Sequence, residues 1–416
     1  MTWREVPLAS LAEGGVLFDG PHATPHKQDE GPVFLGILSL LDGRVDVSLS
    51  RRISEHQFAR WTRRVQPRPD DLVFAYETSG PLTRRVALIP AGLRCCLGRR
   101  MGLLRPDRTR VDPRFLLYSY LSPAFQQTLM SRVVEGSTTQ RLRLTQMPDF
   151  PIRITDDLSE QRRIAGVLGA LDDKIALNRA MNRTLDAMIG ALFRSWFIDF
   201  HGVPGSEMVD SERGPIPRGW HTEALDSVAH FLNGAPCQKY PAEDGRACVP
   251  VIKVRELKHG VSANSDRATS SIPSQWWVFD GDVLFSWSGS LVVTIWTGGE
   301  GALNQHLFKV TSERYPRWFY FLWTRHHLAR FQRIAADKAT TMGHIKRRHL
   351  TEALCVVPPP PIMQEHSDVM APLVERQIVN DRQARTLTKL RDVLLPKLLG
   401  GEIRVPEAER LVEVAV

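Results

Sequence analysis

Cysteine is scarce in this chain, with five in 416 residues. That number is too small and too odd for a disulfide framework, so free thiols in a reducing compartment are expected. Long apolar runs are missing too. No stretch approaches the roughly 18 residues that a membrane span requires. Met1-Thr2-Trp3-Arg4-Glu5 has no apolar signal core, so the expectation is a cytoplasmic protein with no membrane partner. Signatures of chemistry are absent as well. There is no GxxxxGKS/T phosphate loop, no Asn/Asp-Pro-Pro-Tyr tetrad and no glycine-rich loop for S-adenosylmethionine. Gly298-Gly299-Glu300-Gly301 reads as a turn between strands. Asp244, Glu256 and Lys258 echo a nuclease pattern, but 251–257 alternates like a strand that would carry its charges on one open face. Cys95-Cys96 lacks a second cysteine pair, His326-His327 lacks a third ligand, and His344 and His349 read as solvated, so no metal site is expected. The expectation is a chain with no catalytic residue, no metal and no cofactor.

What the chain does have is charge in blocks. Lys and Arg number 54 against 46 Asp and Glu. Residues 1–150 hold 21 basic and 15 acidic side chains, and residues 217–350 hold 17 and 11. The intervening 151–216 and the terminal 351–416 each hold 8 and 10. Two separate basic blocks imply a polyanion met in two places. Arginine dominates, often in pairs, which suits bidentate contact with phosphate and guanine edges. The candidate nucleic-acid-binding residues are His22 and Lys27 in a rigid polar loop, Arg51, Arg52, Arg84 and Arg85 in the first block, and Lys253, Arg255, Lys258, Lys346 and Arg347 in the second.

The sequence also repeats. Trp3 to Leu8 resembles Trp220 to Leu225, and Gly31 to Leu35 resembles Val249 to Lys253. Asp71-Leu72-Val73-Phe74 resembles Asp282-Val283-Leu284-Phe285. Pro113-Arg114-Phe115 resembles Pro316-Arg317-Trp318, and Thr138-Thr139 resembles Thr340-Thr341. Five matches in one order, with a slowly drifting offset, describe two copies of one domain-plus-helix unit. In each copy short β-branched runs come first (71–76 and 282–287). A helix led by proline follows (113–129 and 316–334), and then a long helix.

The first long helix is expected over 159–198, with Ser159 as its N-cap. Its seam at heptad spacing runs through Ile164, Leu168, Leu171, Ile175, Asn178, Asn182, Leu185 and Ile189. The second is expected over 363–399, where Leu373, Asn380, Leu387 and Leu394 form one row. Arg391 interrupts the companion row and suggests a stutter. A narrow apolar stripe needs a partner, and antiparallel pairing of the two helices supplies one. The seam asparagines are expected to set register at a cost in stability, so that leucine at Asn178 and Asn182 would raise it.

Several segments resemble the specificity subunits of Type I restriction-modification systems. These are Glu160-Gln161-Arg162-Arg163-Ile164-Ala165 through Asn178 to Trp196-Phe197, Pro217-Arg218-Gly219-Trp220, Leu390 to Ile403, and Asp19-Gly20-Pro21-His22-Ala23-Thr24-Pro25. The resemblance reaches to about Val405. It implies an α+β chain of two repeated mixed α/β target-recognition domains, separated by two long antiparallel coiled-coil helices about a pseudo-two-fold axis. On this basis 1–150 is the first recognition domain, 151–205 the central helix, 206–216 a linker, 217–356 the second recognition domain, 357–405 the C-terminal helix and 406–416 a tail. It further implies a non-catalytic subunit that reads a bipartite, asymmetric site on double-stranded DNA. Such a subunit docks two methyltransferase subunits and the motor-nuclease restriction subunits, which carry the chemistry. A self-contained DNA enzyme would need the missing loops. A bare coiled-coil scaffold leaves the two basic domains unexplained. An RNA-binding pair would be expected to show aromatic RNP-type strands.

Overall fold

Each of the chain's two repeats forms its own body in the computed structural model, which describes residues 3–26, 28–79, 82–134, 139–201, 207–337 and 343–415. Two compact units divide the chain. One comprises Met1–Lys174 with Leu387–Val416, the other Ile175–Thr386. Each is a mixed α/β body built on small sheets.

In the first unit, the entering strand Trp3–Pro7 pairs antiparallel with the exiting strand Pro151–Thr155. A four-stranded antiparallel sheet runs in the order Ala12–Asp19, Met101–Pro106, Leu72–Ala75, Val86–Leu88. Gln28–Phe34 pairs in parallel with Cys95–Cys96. The second unit repeats every one of these features. His221–Ala224 pairs with Leu354–Val357. The four-stranded order is His230–Asn233, Leu307–Thr311, Val283–Ser286, Val293–Ile295. Cys248–Ile252 pairs in parallel with Gly301–Leu303. The sequence matches at Val33 and Val251, and at Leu72 and Val283, therefore lie on equivalent strands. Thr138, Thr340 and Thr341 fall outside the described residues.

The helices led by proline differ between copies. Pro113–Leu121 stops at Ser122, and Pro123–Ser131 begins again with the Ser122 hydroxyl accepting from the Phe125 amide. A proline inside the expected 113–129 helix removes a backbone donor and clashes one turn back, which splits it. Arg317–Ala336 has no internal proline and runs unbroken.

The first long helix is Leu158–Phe197 and the second is Pro360–Gly400. The N-cap of the first is Asp157, not Ser159. Its carboxylate accepts from the amides of Ser159 (2.9 Å) and Glu160 (3.2 Å), and an acidic cap also suits the helix dipole. Both units contain an antiparallel stretch of this helix pair. In the first unit Ile164, Leu168 and Leu171 are buried, as are Leu387 and Leu394, and Arg391 reaches Asp172 at 2.7 Å. In the second unit Ile175 and Ile189 are buried with Val374 and Ile378, Leu185 and Leu373 are half-buried, and Trp196 stacks on His366 at 4.1 Å.

Toward the C-terminal end of the second helix Ala384, Arg391 and Leu398 are buried at spacing seven, while Met370, Val374 and Ile378 are buried at spacing four nearer its start. Arg391 keeps its place in the row because its guanidinium is matched. Asp172 and Asp392 each accept from it at 2.7 Å, and Tyr118 Oη donates to the other Asp172 oxygen at 2.8 Å. Burial works against that charge, but the two carboxylates outweigh it and hold the Arg391 pKa above its ordinary value.

The strand reading of 251–257 also fails. The strand ends at Ile252, and Val254–His259 is a short helix. Glu256 is buried there, accepting from the Lys253 amide, Arg255 Nε and Ser265 Oγ. Its role is to cap and tie a turn. His349, expected to be solvated, is buried and accepts from the Lys346 amide at 3.0 Å.

Candidate nucleic-acid interface

The candidate basic residues separate by what their charged ends already hold. Arg84 sits at a left-handed turn and pairs with Asp42. Arg85 donates to the Leu40 carbonyl at 2.9 Å. Lys253 pairs with Asp266. Arg255 holds Glu256 and the Asn264 carbonyl. Arg347 donates to the Phe231 carbonyl at 3.3 Å. Arg51 and Arg52 are exposed on a two-residue edge strand, with Arg52 reaching the Gly31 carbonyl. Lys346 is exposed, and Lys258 stands at the mouth of a cavity of about 460 Å³ bordered by Gly289, Ser290 and Gln332. His22 is 58% exposed and lines a second cavity, about 350 Å³, in the first unit. Lys27 lies outside the described residues.

A device that the sequence comparison passed over recurs in both units. The first strand of each four-stranded sheet ends at Asp19 or Asn233, and a glycine follows. Gly20 donates its amide to the Met101 carbonyl (2.9 Å), and Gly234 donates to that of Leu307 (3.0 Å). A side chain on Gly20 would run into the Gly98 carbonyl, and one on Gly234 into the Asn304 carbonyl. Only glycine allows the two backbones to approach this closely. An aromatic residue just past the central strand then pins the turn. Tyr76 Oη donates to Asp19 Oδ1 at 2.9 Å, and Trp287 Nε1 donates to Asn233 Oδ1 at 3.0 Å. The signal was present in the sequence as Asp19-Gly20-Pro21 against Asn233-Gly234-Ala235. It is too short to be found without the strands around it.

His22 completes the first of these turns. Its Nε2 lies 3.1 Å from Asp19 Oδ2 and 3.3 Å from Tyr76 Oη. Burial, followed by the Asp19 hydrogen bond, raises the Tyr76 pKa well above its ordinary value, so the phenol stays protonated and donating.

No cluster of three or more His, Cys, Asp or Glu among the described residues is placed to hold a metal ion. Cys95 and Cys96 lie buried on the parallel strand pair, and burial pushes both thiols up to about 12. His326 and His327 pack among Phe193, Trp323 and Phe331. No helix among the described residues is long and apolar enough to cross a membrane.

Comparison with known proteins finds similar chains. Residues 71–187 match the Type I restriction modification DNA specificity domain. The MjaIX specificity subunit of a Type I restriction enzyme from Methanocaldococcus jannaschii is 28% identical over 302 residues, covering 69% of each chain. The HindI specificity subunit from Haemophilus influenzae is 21% identical, covering 72% of this chain and 80% of that one. A solved S subunit of a Type I restriction-modification system from M. genitalium shares the fold. Its TM-score is 0.59 at 14% identity, over 95% of this chain and 96% of that one. The chain is similar to specificity subunits of Type I restriction-modification systems in sequence and to one of them in fold.

Proposed function

We propose that this chain reads a bipartite, asymmetric site on double-stranded DNA, with residues 1–150 contacting one half and residues 217–356 the other. It performs no catalysis itself. Two methyltransferase subunits dock on the long helices, and motor-nuclease subunits join that core. The observation that carries the reading is the repeated glycine turn. The same backbone device, on the same sheet, ends in different side chains in the two copies: Asp19 and His22 in one, Asn233 and Pro236 in the other. One scaffold with two sets of side chains suits two different half-sites. Arg51, Lys258 and Lys346, which are exposed, and Arg52, exposed with one nitrogen on the Gly31 carbonyl, supply phosphate contact.

Two measurements test this. Single-molecule sequencing of host DNA should return a split methylated motif with two unlike halves. Duplex binding by the purified protein should weaken steeply between about 50 and 200 mM salt, as counterion release requires. An affinity indifferent to salt, or a methylated motif that is continuous, would contradict the reading.

A further inference from the structure

Residues 1–150 are rich in arginine, but much of that charge is already committed. Arg4 pairs with Asp156, Arg94 with Glu55, Arg100 with Glu77, Arg105 with Asp71 and Arg108 with Asp70. Arg60, Arg63 and Arg64 differ. All three are exposed, and none has an acidic partner among the described residues. They follow one another at the end of the helix Glu55–Trp61 and just past it, and they line the cavity of about 350 Å³ whose opposite wall is the turn carrying Asp19, Gly20 and His22. Three uncompensated guanidiniums facing a built turn make a seat for a polyanion. The planar fork of arginine matches phosphate oxygens in particular.

The chemistry of His22 follows from its neighbours. A carboxylate only accepts, so His22 Nε2 must carry a proton to bond Asp19 at 3.1 Å. The Tyr76 hydroxyl has already given its proton to the other oxygen of Asp19, so it too offers Nε2 only a lone pair. With the proton held on Nε2, the neutral ring has a bare lone pair on Nδ1. Nδ1 has no hydrogen-bond partner among the described residues, and the side chain is mostly exposed. It is a fixed acceptor at the rim of an arginine-lined cavity. In the major groove only two base edges donate: the N6 amino group of adenine and the N4 amino group of cytosine. Guanine and thymine present acceptors at the corresponding edge, which would face the lone pair of Nδ1.

Resting on the reading of this chain as a DNA-recognition subunit, we propose that the cavity between the Gly20 turn and Arg60, Arg63 and Arg64 seats the DNA backbone, and that His22 Nδ1 reads an amino group there, so that one position of the half-site bound by residues 1–150 is restricted to adenine or cytosine. The arginines supply affinity and His22 supplies selection. Pro236 follows Gly234 at the same step as His22 follows Gly20, so the other half-site is read by other means.

The test is selection from a fully randomised duplex library by the full-length chain in mildly alkaline buffer, with wild type, His22→Ala, and the triple variant Arg60→Gln, Arg63→Gln, Arg64→Gln run in parallel. Wild type should enrich a split motif with one adenine-or-cytosine position that relaxes in His22→Ala. The lost discrimination should be roughly tenfold, the scale of one neutral hydrogen bond. All other positions should be unchanged in that variant, including the second half-site, which also reports that it is folded. The triple variant should lose affinity for every sequence alike, with a shallower salt dependence and the motif intact. Enrichment of the same motif by wild type and His22→Ala would overturn the role of His22, as would a relaxed position that wild type restricts to purines, to pyrimidines or to both orientations of one base pair, since adenine-or-cytosine on one strand is thymine-or-guanine on the other. An unchanged salt slope in the triple variant would overturn the backbone seat. If wild type enriches nothing, the DNA-recognition reading itself falls, and this proposal with it.

Discussion

At the scale of single residues, buried charge is where magnitudes decide. Arg391 is 8% exposed and keeps its charge through Asp172. Removing one partner of a buried pair leaves the other unpaired, which typically costs about 3–5 kcal/mol. Asp392 remains to help, so Asp172→Ala is expected to cost about 3 kcal/mol by denaturant unfolding. The neighbouring Asp173 pairs with Arg114 on the surface, with both side chains more than half exposed. Asp173→Ala should therefore cost no more than about 1 kcal/mol. Equal losses in the two variants would show that burial does not set the difference. Buried histidines give a second expectation. Burial lowers His326 and His366 to about 4 and His327 to about 3, against an ordinary value of 6.5. The unfolded chain therefore binds more protons than the native one below that value. Stability at neutral pH is progressively lost as pH falls from about 6.5 toward 4. Melting followed across this window should show the fall, and its size should shrink in His366→Gln. All three residues belong to the unit spanning Ile175–Thr386.

At the scale of elements, the asparagines of the helix pair form a network. Asn178 Nδ2 donates to Gln383 Oε1 at 2.9 Å. Asn182 Nδ2 donates to Asp381 Oδ1 at 2.7 Å and to the Gln377 carbonyl at 3.0 Å. Asn380 Nδ2 donates to Asn182 Oδ1 at 2.9 Å. This changes the outcome expected from sequence. Leucine at Asn182 alone strips a partner from buried Asn380 and from Asp381, and a group left unsatisfied in this way costs about 1–3 kcal/mol. Asn182→Leu should therefore lower the melting temperature. Replacing Asn178, Asn182 and Asn380 together with leucine removes most of the unpaired groups. It should recover the loss while allowing mispaired or associated helices, visible by sedimentation. A stable, monomeric Asn182→Leu would show that the network carries no energy.

At the scale of the whole molecule, the two units are not the two halves of the sequence. The second is one continuous segment, while the first is closed by residues from both ends of the chain. A fragment of residues 175–386 therefore holds its sheet, both its helical stretches and its aromatic core from Ile189 to Ile378, and should unfold in one cooperative transition by calorimetry. A fragment of residues 1–205 lacks Leu387 to Val416 and leaves Ile164, Leu168 and Leu171 uncovered. It should aggregate or self-associate. A non-cooperative 175–386 fragment would show that this unit depends on the rest of the chain.

The pattern of charge and hydrophobicity alone carried the repeat, the two basic blocks, the two long helices and the resemblance to a family. Such features depend on local periodicity and composition, which need no partner to be expressed. Tertiary structure decided the rest. Arg391 looked like a break in the heptad because its partner Asp172 lies 219 residues away. The strand-like alternation of 251–257 gave way to a helix because Glu256 found three donors around it. Pairs such as Arg84–Arg85 read as free charge until the fold supplied Asp42 and the Leu40 carbonyl. Arg63-Arg64 was one arginine pair among several in the first block until the Gly20 turn closed a cavity against it and Arg60. A sequence states which groups can bond. Only the close approach of distant segments determines which bonds are made inside the molecule and which charges are left to face a ligand.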